Sequence, residues 1–344
     1  GSGKSHLLKI LALLLENREV DGTPVIDIFL PKCEDNKLLY GALQKAVSVP
    51  SRSILFNIDQ KADVISKKDI DALLAVFLKV FNEACGYYGK LGHVAKFEQD
   101  LVKRGLYEEF KNAYAEIAGK GWLTGREETT LEKGNISKAY AQVAGESAKG
   151  TDDIIGAYRA DYAVSIEDFA DMVNEYINEQ GKDFRLNFFV DEVGQYIADN
   201  IKLMTNLQTI AESLATKCKG RSWIVVTAQE DMNTVLGEMG KQQSNDFSKI
   251  QARFDARMKL SSQNVDEVIQ KRLLKKNDAG TDLLHDIYHN EHNNFKTLFD
   301  FSDGAQTYKN FKNSDHFVNS YPFIPYQFDL FQKAIENLSL HNAF

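Results

Sequence analysis

The chain has 344 residues, of which 43% are hydrophobic and 26% are charged, as expected of a globular protein with a substantial core. Its formal net charge of −8 excludes a uniformly basic coat for nucleic acid, although a local basic groove remains possible. The three cysteines (Cys33, Cys85 and Cys218) lie far apart and form no CxxC motif, which favours a reducing, cytoplasmic location. No apolar run reaches the ~18 residues needed to cross a bilayer, and no signal-peptide pattern is present.

The first sixty residues alternate between helical and strand patterns. An almost wholly apolar stretch predicts a buried helix over 6–17, and β-branched runs predict strands over 25–30 and 53–59. A short helix over 36–47 separates the two strands. This alternation is typical of a parallel α/β sheet.

A helical insertion is predicted over 66–164. Ser66 and Asp69 have the spacing of a capping box, and apolar residues recur at helical spacing over 70–81. A second helical pattern covers 97–117. The polar, small-residue stretch over 122–152 predicts a weakly ordered helical or loop segment.

The α/β pattern resumes over 165–262. Ser165 and Asp168 repeat the capping-box spacing and open a helix that ends at Gly181. Buried strands are predicted over 186–190 and 223–228, with a helix between them, and a shorter strand over 257–260. Residues 263–344, beginning with a helix over 264–276, form an incomplete helical lid. The architecture predicted is thus α/β in two parts, 1–65 and 165–262, with a large helical insertion and a C-terminal helical lid.

The opening residues match the end of a phosphate-binding loop, G-x-x-x-x-G-K-[ST]. The glycine lets backbone N–H groups wrap the phosphates, Lys4 reaches the β- and γ-phosphates, and the Ser5 hydroxyl is a ligand for Mg²⁺. The helix that follows aims its N-terminal N–H groups at the same anion. The alternative is a cloning scar followed by a chance Lys-Ser. The candidate nucleotide-binding residues are Ser2, Gly3, Lys4, Ser5 and His6. Because the chain starts inside the motif and without Met, we expect a piece of a longer polypeptide.

A pair of acidic residues follows the buried strand over 186–190. Asp191 would hold Mg²⁺, usually through water, and Glu192 would polarise the attacking water. The alternative is an ordinary acidic turn. The phosphate-loop motif earlier in the chain, in the right order, favours the catalytic interpretation.

Three further residues complete the candidate site. Thr227 and Gln229 close the next strand, where a polar side chain would sit beside the γ-phosphate and orient the water. The alternative is a polar strand exit. Arg253 precedes the short strand over 257–260 and would point toward a neighbouring subunit's nucleotide; the alternative is a surface arginine, with Phe254 packing in the core.

Two C-terminal patterns have weaker functional interpretations. His285, His289 and His292 could share one helix face, but their polar flanks favour a solvated helix end over a metal site. Aromatic and lysine residues alternate over 295–312. This segment could touch nucleic acid, but a lid core with a solvated face is favoured.

Together these motifs resemble an AAA+ P-loop ATPase of the initiator-like branch. Several strings are similar to the large ATPase of bacteriophage-exclusion (BREX) defence systems, the BrxC/PglY family. They are the residues 3–6, 55–59, 189–196, 223–231 and 321–325, which read GKSH, LFNID, FVDEVGQY, WIVVTAQED and YPFIP. The resemblance spans essentially the whole chain.

The resemblance implies ATP and Mg²⁺ as cofactors and the N-terminal ATPase part of a much longer protein. It implies a homo-oligomer working with other BREX proteins, in a complex that blocks phage propagation and methylates host DNA. Contact with DNA would be indirect, and no membrane is involved. Two departures matter: the strand before the phosphate loop is missing, and no arginine follows Arg272, so the family's "sensor 2" arginine is expected beyond Phe344. Autonomous ATPase activity is therefore not implied for this piece.

Three functions follow from these patterns. The first is ATP hydrolysis coupled to assembly or remodelling of a DNA-associated complex. The second is a scaffold in which bound nucleotide holds protomers together with little turnover. The third is an initiator or DNA-loading ATPase outside defence. Glu192 favours the first over the second, because a pure clamp needs only Lys4, Ser5 and Asp191.

Overall fold

The computed structural model describes residues 3–58, 72–145, 152–193, 201–228, 254, 256, 258, 260, 265–298 and 309–341. Two compact units are present. Gly3–Arg257 forms the larger unit, and Met258–Phe344 belongs to the smaller one. Among the described residues, no helix is both long enough and apolar enough to span a membrane.

A three-stranded parallel sheet lies in the larger unit. Its strands are β3 (Ser51–Asn57), β4 (Arg185–Asp191) and β5 (Ser222–Val226), in the spatial order β3-β4-β5. The sheet confirms the α/β class predicted from the alternation of patterns. The three strands contain most of the apolar runs predicted over 53–59, 186–190 and 223–228.

Helices cover both faces of the central strand. Phe188 and Phe189 point to opposite faces and are both fully buried. Phe189 packs against Leu8 and Ala12 of α1 (Lys4–Glu16). On the other face, Phe188 joins a large core. That core includes buried residues of α4 (Ala72–Ala84), α10 (Ile166–Gln180) and α11 (Ile201–Cys218). Burial on both sides explains why β4 reads as a continuous apolar run.

The strand predicted over 25–30 is wrong. Most of this run forms the short helix α2 (Val25–Phe29). A small hairpin of two-residue strands, β1 (Glu19–Val20) and β2 (Thr23–Pro24), comes directly before it. A short apolar run fits a buried strand and a buried helix equally well, so its period does not distinguish them. Proline immediately before the run suits a helix start. Ile26 packs with Leu14 of α1 and with Leu30, and this tertiary packing favours the helix over a strand.

The helices α3 (Lys37–Val47) and α10 form as predicted, and a side chain caps the N-terminus of each. Asn36 caps α3 through a bond from the Leu39 N–H. Ser165 and Asp168 make the predicted capping box in both directions at the start of α10. The other predicted capping box, at Ser66 and Asp69, lies outside the described residues.

Residues 92–161 form a layer of helices with a core of its own. The helices are α5 (Gly92–Lys103), α6 (Tyr107–Ala118), α7 (Trp122–Gly125), α8 (Thr129–Ala144) and α9 (Ile154–Asp161). Of the two alternatives predicted over 122–152, helix or loop, the structure shows the helix over most of the segment as far as Ala144, and this part is packed in a core rather than weakly ordered. Ile136 and Ala139 of α8 are fully buried in this core, because the small residues of α8 allow close packing despite its weak amphipathic pattern.

The smaller unit is helical. It contains α12 (Val265–Arg272), α13 (Asp278–Leu298), α14 (Ser314–Ser320) and α15 (Pro325–His341), and the first of these is shorter than the helix predicted over 264–276. Leu284, Phe317 and Val318 form its buried core. The strand predicted over 257–260 falls partly outside the described residues, and the described Met258 and Leu260 are not in a strand.

Candidate functional site

The carboxyl ends of the three parallel strands meet at one edge of the sheet. Asn57, the last residue of β3, is in register with Asp191, the last residue of β4. Thr227 directly follows β5, and its backbone extends the ladder to β4: the Thr227 N–H donates to the Val190 carbonyl and the Val193 N–H donates to the Thr227 carbonyl, each at 3.0 Å. Polar side chains from three strands therefore face one another at this edge.

Thr227 links the two acidic residues. Its hydroxyl donates to Oδ1 of Asp191 and accepts a 3.2 Å bond from the backbone N–H of Glu192. All three residues are half-buried. The sequence assigned Thr227 to the same candidate site as Asp191 and Glu192, and the structure shows hydrogen bonds between them.

Glu192 has an unusual backbone conformation. Its φ is +62°, in the left-handed region that non-glycine residues seldom adopt. Its side chain accepts a bond of 2.5 Å on Oε2 from Nδ2 of Asn57. Bonds to both its backbone and its side chain thus offset the strain of about 1–2 kcal/mol that this conformation costs.

Asn57 is the site residue that our sequence reasoning did not assign. Asn57 is a polar residue at the carboxyl end of an apolar strand, as Asp191 is, and this position could have marked it as a site residue. The sequence predicted both strands, but no local pattern connects residues 57 and 192. Only the pairing of β3 with β4 does so.

The N-terminus of α1 lies at the same edge. Gly3, the N-cap residue of α1, adopts φ +76° and ψ 7°, and the helix begins at Lys4. The ammonium of Lys4 donates a 2.7 Å bond to the backbone carbonyl of Ala228, the residue after Thr227. Ser5 is half-buried and His6 is exposed in the same turn. The structure therefore brings Lys4 to the end of β5, next to the residue that holds Asp191 and Glu192.

Three predicted site residues, Ser2, Gln229 and Arg253, lie outside the described residues. Phe254, which follows Arg253, packs against the core on the sheet face opposite α1. The roles predicted for Ser2, Gln229 and Arg253 stay predictions.

The donor atoms suit Mg²⁺. The Ser5 hydroxyl and the Asp191 carboxylate are hard oxygen ligands, and Mg²⁺ is commonly held by one or two such protein groups together with phosphates and water. No group of three or more His, Cys, Asp or Glu residues in the described part of the chain could hold a metal ion by itself.

His285, His289 and His292 lie in the interior of α13, so the helix end predicted for them is wrong, whereas aromatic residues of 295–312 do pack in a core as predicted. His285 bonds with the Ser314 hydroxyl through Nδ1, and Nδ1 of His292 with the backbone carbonyl of His289. Phe295 and Phe311 pack against Phe317 in the core of the smaller unit.

A cavity of about 220 Å³ lies at the opposite end of the sheet. It is lined by Ser51 and Arg185, the first residues of β3 and β4, and by the exposed Trp223 near the start of β5. The cavity is therefore separate from the edge that carries Asp191 and Thr227.

No protein-family model matches the chain, and no solved structure matches it significantly.

Proposed function

We propose that this chain is a Mg²⁺-dependent ATP-binding and ATP-hydrolysing module of the AAA+ class. One observation carries the proposal. The ammonium of Lys4, at the start of α1, bonds to the Ala228 carbonyl, next to Thr227, whose hydroxyl joins Asp191 to Glu192. A cation, a helix N-terminus and carboxylates at the end of a parallel sheet are the groups that phosphoryl-transfer sites use.

Each residue has a distinct task in this proposal. Lys4 would exchange its bond to Ala228 for the β- and γ-phosphates, and the N–H groups of the first turn of α1 would bind the same phosphates. Ser5 and Asp191 would hold Mg²⁺, which neutralises charge on the phosphates when bound. Glu192 would accept a proton from the attacking water. The hydrogen bond that Asn57 donates to Glu192 would orient this carboxylate.

The biological setting is proposed from the sequence resemblance alone. We infer that the module belongs to a BREX phage-defence complex, where ATP turnover would drive assembly or remodelling of DNA-associated components. In that setting the protein would act as a homo-oligomer, with Arg253 reaching a neighbouring subunit's nucleotide. The genes beside this one test the setting directly, because methyltransferase, phosphatase-like and Lon-like neighbours would support it.

The proposed activity is tested by phosphate release from the full-length protein, with and without DNA. We expect Mg²⁺-dependent release that Glu192→Gln abolishes while ATP stays bound. ATP binding with no release under any of these conditions would favour the nucleotide-held scaffold. Absence of ATP binding would overturn both.

A further inference from the structure

The hydroxyl of Thr227 makes two hydrogen bonds that a polar residue at the end of a strand would not need. It lies between the two acidic residues, donating to Oδ1 of Asp191 and accepting from the backbone N–H of Glu192. One side-chain oxygen thus contacts the side chain of the first and the backbone of the second.

The hydrogen-bonding capacity of a hydroxyl limits what else Thr227 can do. A threonine hydroxyl has one proton to donate and two lone pairs. In this structure that proton is directed to Asp191, so Thr227 does not donate to any other group while this bond persists. The sequence predicted a direct action on the attacking water. The observed bonds favour an indirect one.

The two bonds constrain the two groups that the proposed chemistry needs. The bond to Oδ1 restricts rotation of the Asp191 carboxylate and so directs its other oxygen. The bond from the Glu192 N–H helps to hold that residue at φ +62°. Glu192 could relax from this conformation if the bond were lost, since non-glycine residues disfavour it.

We propose that Thr227 is a positioning residue, whose hydroxyl orients the Asp191 carboxylate for a divalent cation and fixes the backbone of Glu192. The proposal rests on the function proposed above. Partners that hold a metal ligand in place typically contribute 10–100-fold to metal affinity or activity.

The test separates metal binding from nucleotide binding in the full-length protein. ATP affinity is measured in EDTA, and Mn²⁺ affinity is then measured by electron paramagnetic resonance with ATP at saturation. Thr227→Val keeps the shape but lacks the hydroxyl. We expect it to leave ATP affinity in EDTA unchanged and to weaken Mn²⁺ binding about 10–100-fold. Thr227→Ser, which keeps the hydroxyl, should restore most of that affinity.

The controls address folding. Thr209→Val removes a hydroxyl that bonds to the Thr205 carbonyl one turn earlier in α11, and it should change neither affinity. Thr227→Ala serves as a second variant without the hydroxyl should the valine variant not fold.

Three results would overturn the inference. Parental Mn²⁺ affinity in both Thr227→Val and Thr227→Ala would show that the hydroxyl does not position the metal ligand. Slower turnover with unchanged Mn²⁺ affinity would support direct action on the water instead. Neither result would affect the proposed ATPase. Failure of the parental protein to bind ATP would overturn both.

Discussion

The helical layer over 92–161 and the carboxyl edge of the sheet differ in how deeply their carboxylates are buried. In the helical layer, Glu98 is fully buried. At the sheet edge, Asp191 and Glu192 are half-buried and bonded to uncharged side chains, Thr227 and Asn57. The contrast teaches that a fully buried carboxylate with several internal donors stabilises a fold, whereas carboxylates that stay half-exposed at the end of a sheet are suited to bind a ligand.

The Glu98 carboxylate has four hydrogen-bond donors around it. It accepts bonds from the Tyr88 N–H at 2.6 Å, Trp122 Nε1 at 2.7 Å, an Arg126 guanidinium nitrogen at 3.0 Å and the Tyr107 hydroxyl at 3.1 Å. Burial, together with the charge of Glu98, raises the pKa of the Tyr107 phenol above its usual range. These bonds tie the loop before α5 and the starts of α6, α7 and the turn after α7 to one carboxylate. Its function is to hold this layer together.

The largest effect is expected at Lys4. Lys4→Ala removes the ammonium that would compensate phosphate charge, so we expect ATP binding and phage protection by the full-length protein to be lost while the variant still folds. Lys9→Ala, an exposed lysine on the same helix, is the matched control and should bind normally. Fluorescent-nucleotide titration measures both. Undiminished ATP affinity in Lys4→Ala would remove the phosphate-loop assignment.

Glu192 is expected to separate binding from turnover. Glu192→Gln keeps an oxygen that can accept from Asn57 but cannot take a proton from water. We expect hydrolysis to fall by about 10²–10⁴-fold while ATP stays bound. Single-turnover phosphate release measures the change, and Glu179→Gln, on the exposed face of α10, is the control. Hydrolysis at the parental rate would place the base at another residue.

Glu98 should show the reverse behaviour, with lost stability and unchanged binding. Glu98→Gln leaves the Arg126 guanidinium without its counter-charge in a buried setting, which should lower the free energy of unfolding of this layer by about 3–5 kcal/mol. Because the chain has two tryptophans, a Trp223→Phe background lets Trp122 fluorescence report on this layer alone.

The control for Glu98 is an exposed pair. Glu175→Gln removes the partner of Lys103, both side chains being more than half exposed, and should cost less than about 1 kcal/mol. A Glu98→Gln variant with parental stability, or with altered ATP affinity, would contradict the contrast between the two regions.

The smallest effect is expected at Glu132, and it depends on pH. Bonds from Lys120, and then from Asn135 and Tyr114, lower the pKa of Glu132 from 4.5 to about 2. A carboxyl with a depressed pKa in the folded state contributes stability above pH ~4.5, and that contribution is lost as pH falls toward 2. Glu132→Gln should therefore lower the unfolding midpoint by about 2 °C at pH 7.

The pH series supplies the control for Glu132. The difference between the variant and the parental protein should shrink steadily between pH 5 and pH 2, as measured by calorimetry, and Glu116→Gln, at an exposed position on α6, should show none. A difference that stays constant over this range would mean that the ionised carboxylate is not the stabilising form.

Much of the fold and part of the site could be predicted from local patterns. The apolar runs that became β3, β4 and β5 and the capping box at Ser165 were identified because neighbouring residues alone define them. The helix α2 was predicted as a strand, and α8 was predicted only as one of two alternatives, helix or loop, because a short β-branched run and a small-residue stretch have no decisive period. Their packing against Leu14 and within the helical core settles their form.

The sequence by itself determined which residue types stand at the ends of the strands. Asp191, Glu192 and Thr227 could therefore be assigned to one candidate site, because parallel strands end at one edge. Only the tertiary structure decided how they are joined. The bond from Asn57 to Glu192 spans 135 positions and that from Lys4 to Ala228 spans 224. Such contacts arise from strand order and helix placement, which the packing of the whole sheet sets and no local pattern encodes.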